Sequence, residues 1–270
     1  MAELEQEDLR KRLSQGSAAD VRHAIREGRW TGRTHGLAHG HVHANLAILP
    51  ENMALDFMRF CQRNPSPCPV LDVTDTGDPE FRQVAPGSDV RRDLSGYCVY
   101  REGVLVDEPS DITDIWQDDL VAFAMGCSLS FDAVLQENSL RVAHLEKPGG
   151  RIAVYTSGIE CVPAGPFQGP MVVSLRPIPN DQVVRVAATT ARYPAIHGAP
   201  VHIGDPAEIG IHDTQAVDWG APPEIGPDDT PMFWGCGVTP QAVAMAAKLP
   251  LMITHKTGHM LMTDLLVKDL

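Results

Sequence analysis

The chain has 270 residues, 43% hydrophobic and 21% charged, and 22 Lys+Arg against 35 Asp+Glu give a formal net charge of -13 at pH 7. That length can bury a sizeable core in one large domain or two smaller ones, and the acidic balance lacks the basic footprint that nucleic-acid binding requires. The first residues, MAELEQEDLRKRL, are charged, no apolar run approaches the roughly 20 residues needed to span a bilayer, and the six cysteines contain no CxxC pair. A cytoplasmic protein with reduced thiols, no membrane partner and no nucleic-acid partner is therefore expected.

In chain order, Leu4 to Leu13 predicts a helix ending near Gly16. Ser17 caps a second helix, Ala18 to Arg26, with Asp20 completing a capping box and Val21, Ala24 and Ile25 as its apolar stripe. Thr31 to Pro50 carries His35, His39, His41 and His43. On a strand the last three would share one face, as metal ligands can. No carboxylate or cysteine accompanies them in this stretch, so it reads as a polar glycine-rich loop, and neither a metal nor another cofactor is expected. Asn45, where this loop turns apolar, is placed to cap or to bind a ligand. Glu51 to Arg63 predicts an amphipathic helix with Phe57 and Cys61 inward. Val70 to Thr74 predicts a strand, 75 to 96 a long loop, and Tyr97 to Leu105 a hairpin turning at Gly103.

Leu120 to Met125 predicts a strand that runs into Gly126-Cys127-Ser128, with Ser130 as the cap of a helix from Phe131 to Asn138. From Arg151 the texture changes. Ile152 to Thr156, Met171 to Leu175 and Val183 to Thr190 read as three strands separated by Pro/Gly connectors. Arg176 is a candidate carboxylate clamp. The Gly/Pro loop from Tyr193 to His212 holds His197, His202 and Asp205, where a histidine and its orienting aspartate would form a general base. Met232 to Trp234, Gly235-Cys236-Gly237, Thr239 to Lys248 and Leu251 to Thr254 predict strand, turn, helix and strand, followed by His255 and His259. In an open α/β sheet such strand ends bind ligands. The Thr239 helix start would attract a carboxylate and lower the pKa of Cys236.

GCSLSF and GCGVTP share one design, a strand, a Gly-Cys turn and a helix start, and two such turns could face one site. The residues assigned to chemistry are Cys127, Cys236, His197, His202, His255 and His259. Asn45, Ser128, Arg176, Asp205, Gly237, Thr239 and Gln241 are assigned to binding a small carboxylate. Two thiols on opposite faces of a substrate would suit a racemase or epimerase, and inert thiols would suit a non-catalytic carboxylate-binding regulatory subunit.

These stretches together resemble a known family, bacterial proteins of the hydro-lyase type grouped with mammalian mitochondrial D-glutamate cyclase. The resemblance rests on NLAILP from Asn45, FCQRNPSPCPV from Phe60, GCSLSF from Gly126, MVVSLRP from Met171, HGAPVHIGDP from His197, FWGCGVTPQ from Phe233 and ITHKTGHMLMTD from Ile253. At His39, His41 and His43 the family stretch usually has Pro, Tyr and Gln. The resemblance implies loss of water from a small carboxylic or amino acid, for the named member D-glutamate to 5-oxo-D-proline. It also implies a three-layer α/β/α fold with a smaller α+β part, which agrees with the texture change at 151: a main α/β domain, 1-145 plus 215-270, with an inserted sheet-rich α+β subdomain, 146-214. Oligomeric state is left open, with a homodimer retained as an option.

Overall fold

The computed structural model describes residues 2–146 and 150–270. The fold is mixed α/β and holds two antiparallel sheets. The first sheet contains β2 (Val70–Val73), β5 (Leu120–Gly126), β1 (His41–Pro50), β10 (Met252–His255), β3 (Tyr97–Arg101) and β4 (Val104–Asp107) in that spatial order, and β11 (Leu261–Leu266) also pairs with β1. β1 is its axis. Along one edge it pairs with β5 from Ala44–Gly126 to Pro50–Leu120, and along the other with β11 and then β10. The second sheet has the order β6 (Ala153–Glu160), β7 (Pro170–Pro179), β9 (Asp229–Gly235), β8 (His202–Ile203).

The period-2 alternation of β1 and β7 decides what lies where. Ala47 and Leu49 of β1 meet Val173 and Leu175 of β7 in the main core, with Phe57, Phe60 and Cys61 of α3 (Glu51–Arg63) packed into it. The opposite face of the first sheet, Leu46, Ile48, Ala122 and Ile253, is sealed by Phe81, Val84, Val90 and Leu94 of the long loop. The other face of the second sheet carries Ile178 and Trp234, covered by Phe131, Val134 and Leu135. α1 (Ala2–Gln15) and α2 (Ala18–Arg26) pack with Trp30 and Leu37, and the Ser17–Asp20 capping box is present.

Three expectations change. Val183 to Thr190 is a helix, α5, although its β-branched residues suggested a strand; Val186 and Thr190 recur at i and i+4 and are buried, which is a helical stripe. Ser130 does not cap the next helix, because its hydroxyl accepts the backbone N–H of His43 at 2.9 Å. A 3-10 turn, Ser128–Phe131, leads instead into α4 (Asp132–Glu137). The segment from Asp229 does form strand, helix and strand, with α6 (Thr239–Ala247) in the middle, but β9 and β10 belong to different sheets. The helix therefore bridges two antiparallel sheets and makes no parallel crossover. β9, expected with the main part, pairs along its length with β7, Val173–Gly235 to Pro179–Asp229. The expected boundary at 146 adjoins residues 147–149, which lie outside the described ones.

Candidate active site

A cavity of about 960 Å³ opens where the start of β1 meets the loop ahead of it, the Ser128–Glu137 segment and the loop after β10. Its walls hold Arg10, Arg33, Arg151 and Lys256 against the carboxylates of Asp132 and Glu108. This concave surface has a local cationic excess in a chain of net charge -13, so its field favours an anionic ligand. No helix of the described residues is long and apolar enough to cross a membrane.

Asp132, the first residue of α4, is the centre of the polar wall. One carboxylate oxygen, Oδ1, accepts from Arg176 Nη2 at 2.9 Å and Nε at 3.2 Å. The other, Oδ2, lies 2.8 Å from His144 Nε2 and 3.9 Å from His35 Nε2. Burial would raise the Asp132 carboxyl, but Arg176 and His144 outweigh it and hold the group well below the usual carboxylate range. The Arg176 guanidinium is itself fixed between the rings of Phe131 and Trp234, at 4.5 and 5.3 Å from their centroids, and donates to the Ser128 carbonyl. Arg176, expected as a carboxylate clamp, thus holds Asp132 in place together with Ser128, expected to bind substrate.

His43 forms the inner side of the cavity. Its Nε2 meets the Thr34 carbonyl at 3.3 Å, and its Nδ1 is buried without a partner among the described residues. The proton therefore belongs on Nε2, and Nδ1 carries a free lone pair. Burial pushes this imidazole down to about 3, so it is neutral at physiological pH. His39 lies in the turn before β1, and a bulge between His41 and His43 breaks the expected shared face. The histidines that converge are His35 and His144, which with Asp132 place one donor atom each within 4.8 Å of one another.

Of the residues assigned from sequence, Gln241 lines this cavity. Its amide donates to Thr254 Oγ1 and to the His255 carbonyl. Several others meet behind the wall. Asn45 donates to the Gly126 carbonyl at 2.7 Å, and a Cβ on Gly237 would collide with the Asn45 amide. Asn45 therefore joins the two Gly-Cys turns and is not free to cap or to bind. Cys127 and Cys236 do come close enough to feel each other's charge. Burial pushes Cys127 up to about 12 and Cys236 up to about 11, although Cys236 retains some exposed surface. At the helix start the Val238 N–H draws the Cys236 thiol down, but burial outweighs it, and Thr239 does not line the cavity. Thr239 is fully buried, and its hydroxyl accepts from Val172 N–H and donates to the Cys236 carbonyl.

His197 is buried in a left-handed conformation, with Nδ1 on the Ser66 carbonyl at 2.7 Å. The Gly126 carbonyl lies near the ring, but Nε2 makes no hydrogen bond of proper geometry among the described residues. His255 Nδ1 accepts the Leu46 N–H, and His259 Nδ1 lies 2.8 Å from Ser95 Oγ. His202 and Asp205 do not form the expected pair. His202 Nε2 meets the Asp205 backbone carbonyl, and the Asp205 carboxylate caps the turn at Ala207. None of these four histidines is part of the cavity lining.

Comparison with known proteins adds the family. Residues 121–264 match the family model described as D-glutamate cyclase. A Rubrobacter xylanophilus protein named "Putative hydro-lyase" is 53% identical over 247 residues, covering 92% of this chain and 95% of the relative. A Stutzerimonas stutzeri protein of the same name is 52% identical over 249 residues, covering 92% and 94%. A crystal structure of a nitrogen repressor-like protein from Methanococcus jannaschii aligns with 91% of this chain and 97% of its own at a TM-score of 0.39 and 9% identity, too distant to bear on function. By the match over 121–264 and by relatives similar across nearly the whole length, the chain belongs to the D-glutamate cyclase family.

Proposed function

We propose that this protein is a hydro-lyase that removes water from a small amino or hydroxy carboxylic acid, with D-glutamate to 5-oxo-D-proline as the reaction of first choice. The observation that carries this reading is the juxtaposition, in one cavity, of a cationic lining and the Asp132–His144 pair. Arg33 and Arg151, which carry no ion pair among the described residues, bind the substrate carboxylate. His144, oriented by Asp132, handles the oxygen that leaves.

For D-glutamate the bonds balance simply. The α-nitrogen attacks the γ-carboxyl carbon, an N–C bond forms and a C–O bond breaks. Both protons of the departing water come from the ammonium group, relayed through the His144 Nε2 proton that Asp132 shares. The raised thiols of Cys127 and Cys236 give no support to a racemase that uses them. A cytoplasmic enzyme handling a small-molecule carboxylate, without nucleic-acid or membrane partners, completes the reading.

The test is proton NMR of the purified protein in deuterium oxide with D-glutamate, L-glutamate and both 5-oxoprolines. A 5-oxoproline signal growing from D-glutamate, reduced at least about 100-fold in His144→Ala, is the expected result. Turnover undiminished in His144→Ala would overturn the site. Exchange at Cα without loss of water would replace the reaction.

A further inference from the structure

We propose that His35, Asp132 and His144 form a binding site for a divalent cation of the first transition row, open to the cavity. The donors come from three separate segments, the loop ahead of β1, the first residue of α4 and a 3-10 turn at Ala143–Leu145. One atom from each lies within 4.8 Å of the others, with Asp132 Oδ2 at 2.8 Å from one imidazole nitrogen and 3.9 Å from the other. Ligand atoms around a single ion have separations of this order, since each sits about 2.0–2.2 Å from the metal.

The carboxylate is prepared for this role. Arg176 occupies Oδ1, which leaves Oδ2 facing the imidazoles and fixes its direction. Arg10 Nη2 donates to the His35 carbonyl at 3.0 Å and steadies the backbone that carries the ring. All three donor residues line the cavity, so a cation held by them keeps coordination positions for water or substrate. Two imidazoles and one carboxylate suit manganese, iron, cobalt or zinc better than calcium or magnesium, which prefer all-oxygen shells. Arg176 opposes the cation's charge, so the site is looser than a closed structural one.

The His43 ring packs edge-on to His35, with centroids 6.2 Å apart, and so limits the rotation of that donor. A bound cation would take the place of the proton shared by His144 and Asp132 and polarise the leaving carboxyl oxygen as a Lewis acid, the two ammonium protons then passing to that oxygen through water on the cation. The inference thus deepens the functional reading above and rests on it for the cation's role in turnover, while binding is measurable without turnover.

The experiment is titration of chelator-treated full-length protein with Co²⁺, followed by its ligand-field absorption and by calorimetry. One Co²⁺ per chain is expected, with affinity reduced at least about ten-fold in both His35→Ala and His144→Ala and unchanged in His212→Ala, which alters an exposed loop. Circular dichroism and the calorimetric unfolding transition establish that the variants are folded. Absence of stoichiometric binding by the wild type, or binding undiminished in both cavity variants, would overturn the site whatever the turnover. Conversely, a chain that binds Co²⁺ at these residues but leaves every tested acid unchanged would sink the functional reading and leave the cation site standing.

Discussion

Arg176 and Asp132 form an ion pair sealed inside the protein, with Nη2 2.9 Å from Oδ1 and side-chain exposures of 0% and 2%. A strand of one sheet and the first turn of a helix are locked together by it, and the cavity wall depends on that lock. Removing one partner leaves the other charge buried and uncompensated. Arg176→Met should therefore lower unfolding free energy by about 3–5 kcal/mol, read by urea denaturation. The double variant Arg176→Met/Asp132→Leu should lose less than the sum of the two single variants. Strict additivity would mean that the pair is not coupled.

Acid should weaken the fold well above the carboxylate range. Burial holds His43 at about 3 and His197 and His255 at about 4. Above about pH 6.5 neither the folded nor the unfolded chain protonates them. As pH falls below that value, the unfolded chain takes up the protons and the native chain does not, so stability declines until the folded values are passed. These three contribute a slope that approaches about 4 kcal/mol per pH unit near pH 5, to which His35 and His259, also lowered by burial, add. His255→Gln should reduce the slope by about 1.4 kcal/mol per pH unit, measured from urea midpoints between about pH 7.5 and 5. A flat profile across this range would contradict the buried neutral state.

The Asn45–Gly237 contact should tolerate no side chain. Gly237→Ala places a Cβ against the Asn45 amide, and overpacking of this kind costs about 1–3 kcal/mol or more. Asn45→Gly should relieve part of the loss in the Gly237→Ala background while being harmful alone, because the Gly126 carbonyl then loses its donor. Equal losses in both backgrounds would show that the collision is absorbed elsewhere.

The thiols should be silent in the native protein. Cys127 is held up to about 12, and Cys98, Cys161 and Cys236 up to about 11, in each case chiefly by burial; Cys61 and Cys68 are buried. An aromatic disulfide reagent at neutral pH should label none of the six cysteines in the time that a free thiol reacts, and should label them all in denaturant. Cys236→Ala should retain turnover within about ten-fold. Rapid labelling of Cys236 in the native state, or abolition of activity by its replacement, would restore a chemical role for that thiol.

Much of the frame is legible locally. The Ser17 capping box, the amphipathic helix from Glu51 and the Gly103 hairpin each depend on neighbours a few residues apart. The shared design of the two Gly-Cys turns left open whether they meet or are only a common way of leaving a strand; Asn45 joins them. The helix at Val183–Thr190 was hidden because β-branched residues outweighed its i, i+4 stripe. The cavity was hidden for a different reason. His35, Asp132 and His144 lie in separate segments, and the pairing that unites them is made by the fold and not by spacing. One signal stood in plain view, because Asp132 directly follows GCSLSF, a motif already singled out.

β1 has one further consequence, for how the chain is made. Its partner β5 is translated after it, and its other edge stays unpaired until β10 and β11 leave the ribosome. A nascent chain therefore carries an open, apolar strand edge through most of synthesis, the kind of edge that recruits foreign strands. Chains cut short before residue 252 should be substrates for chaperones and proteases, and slow codons ahead of that point should lower soluble yield more than slow codons behind it.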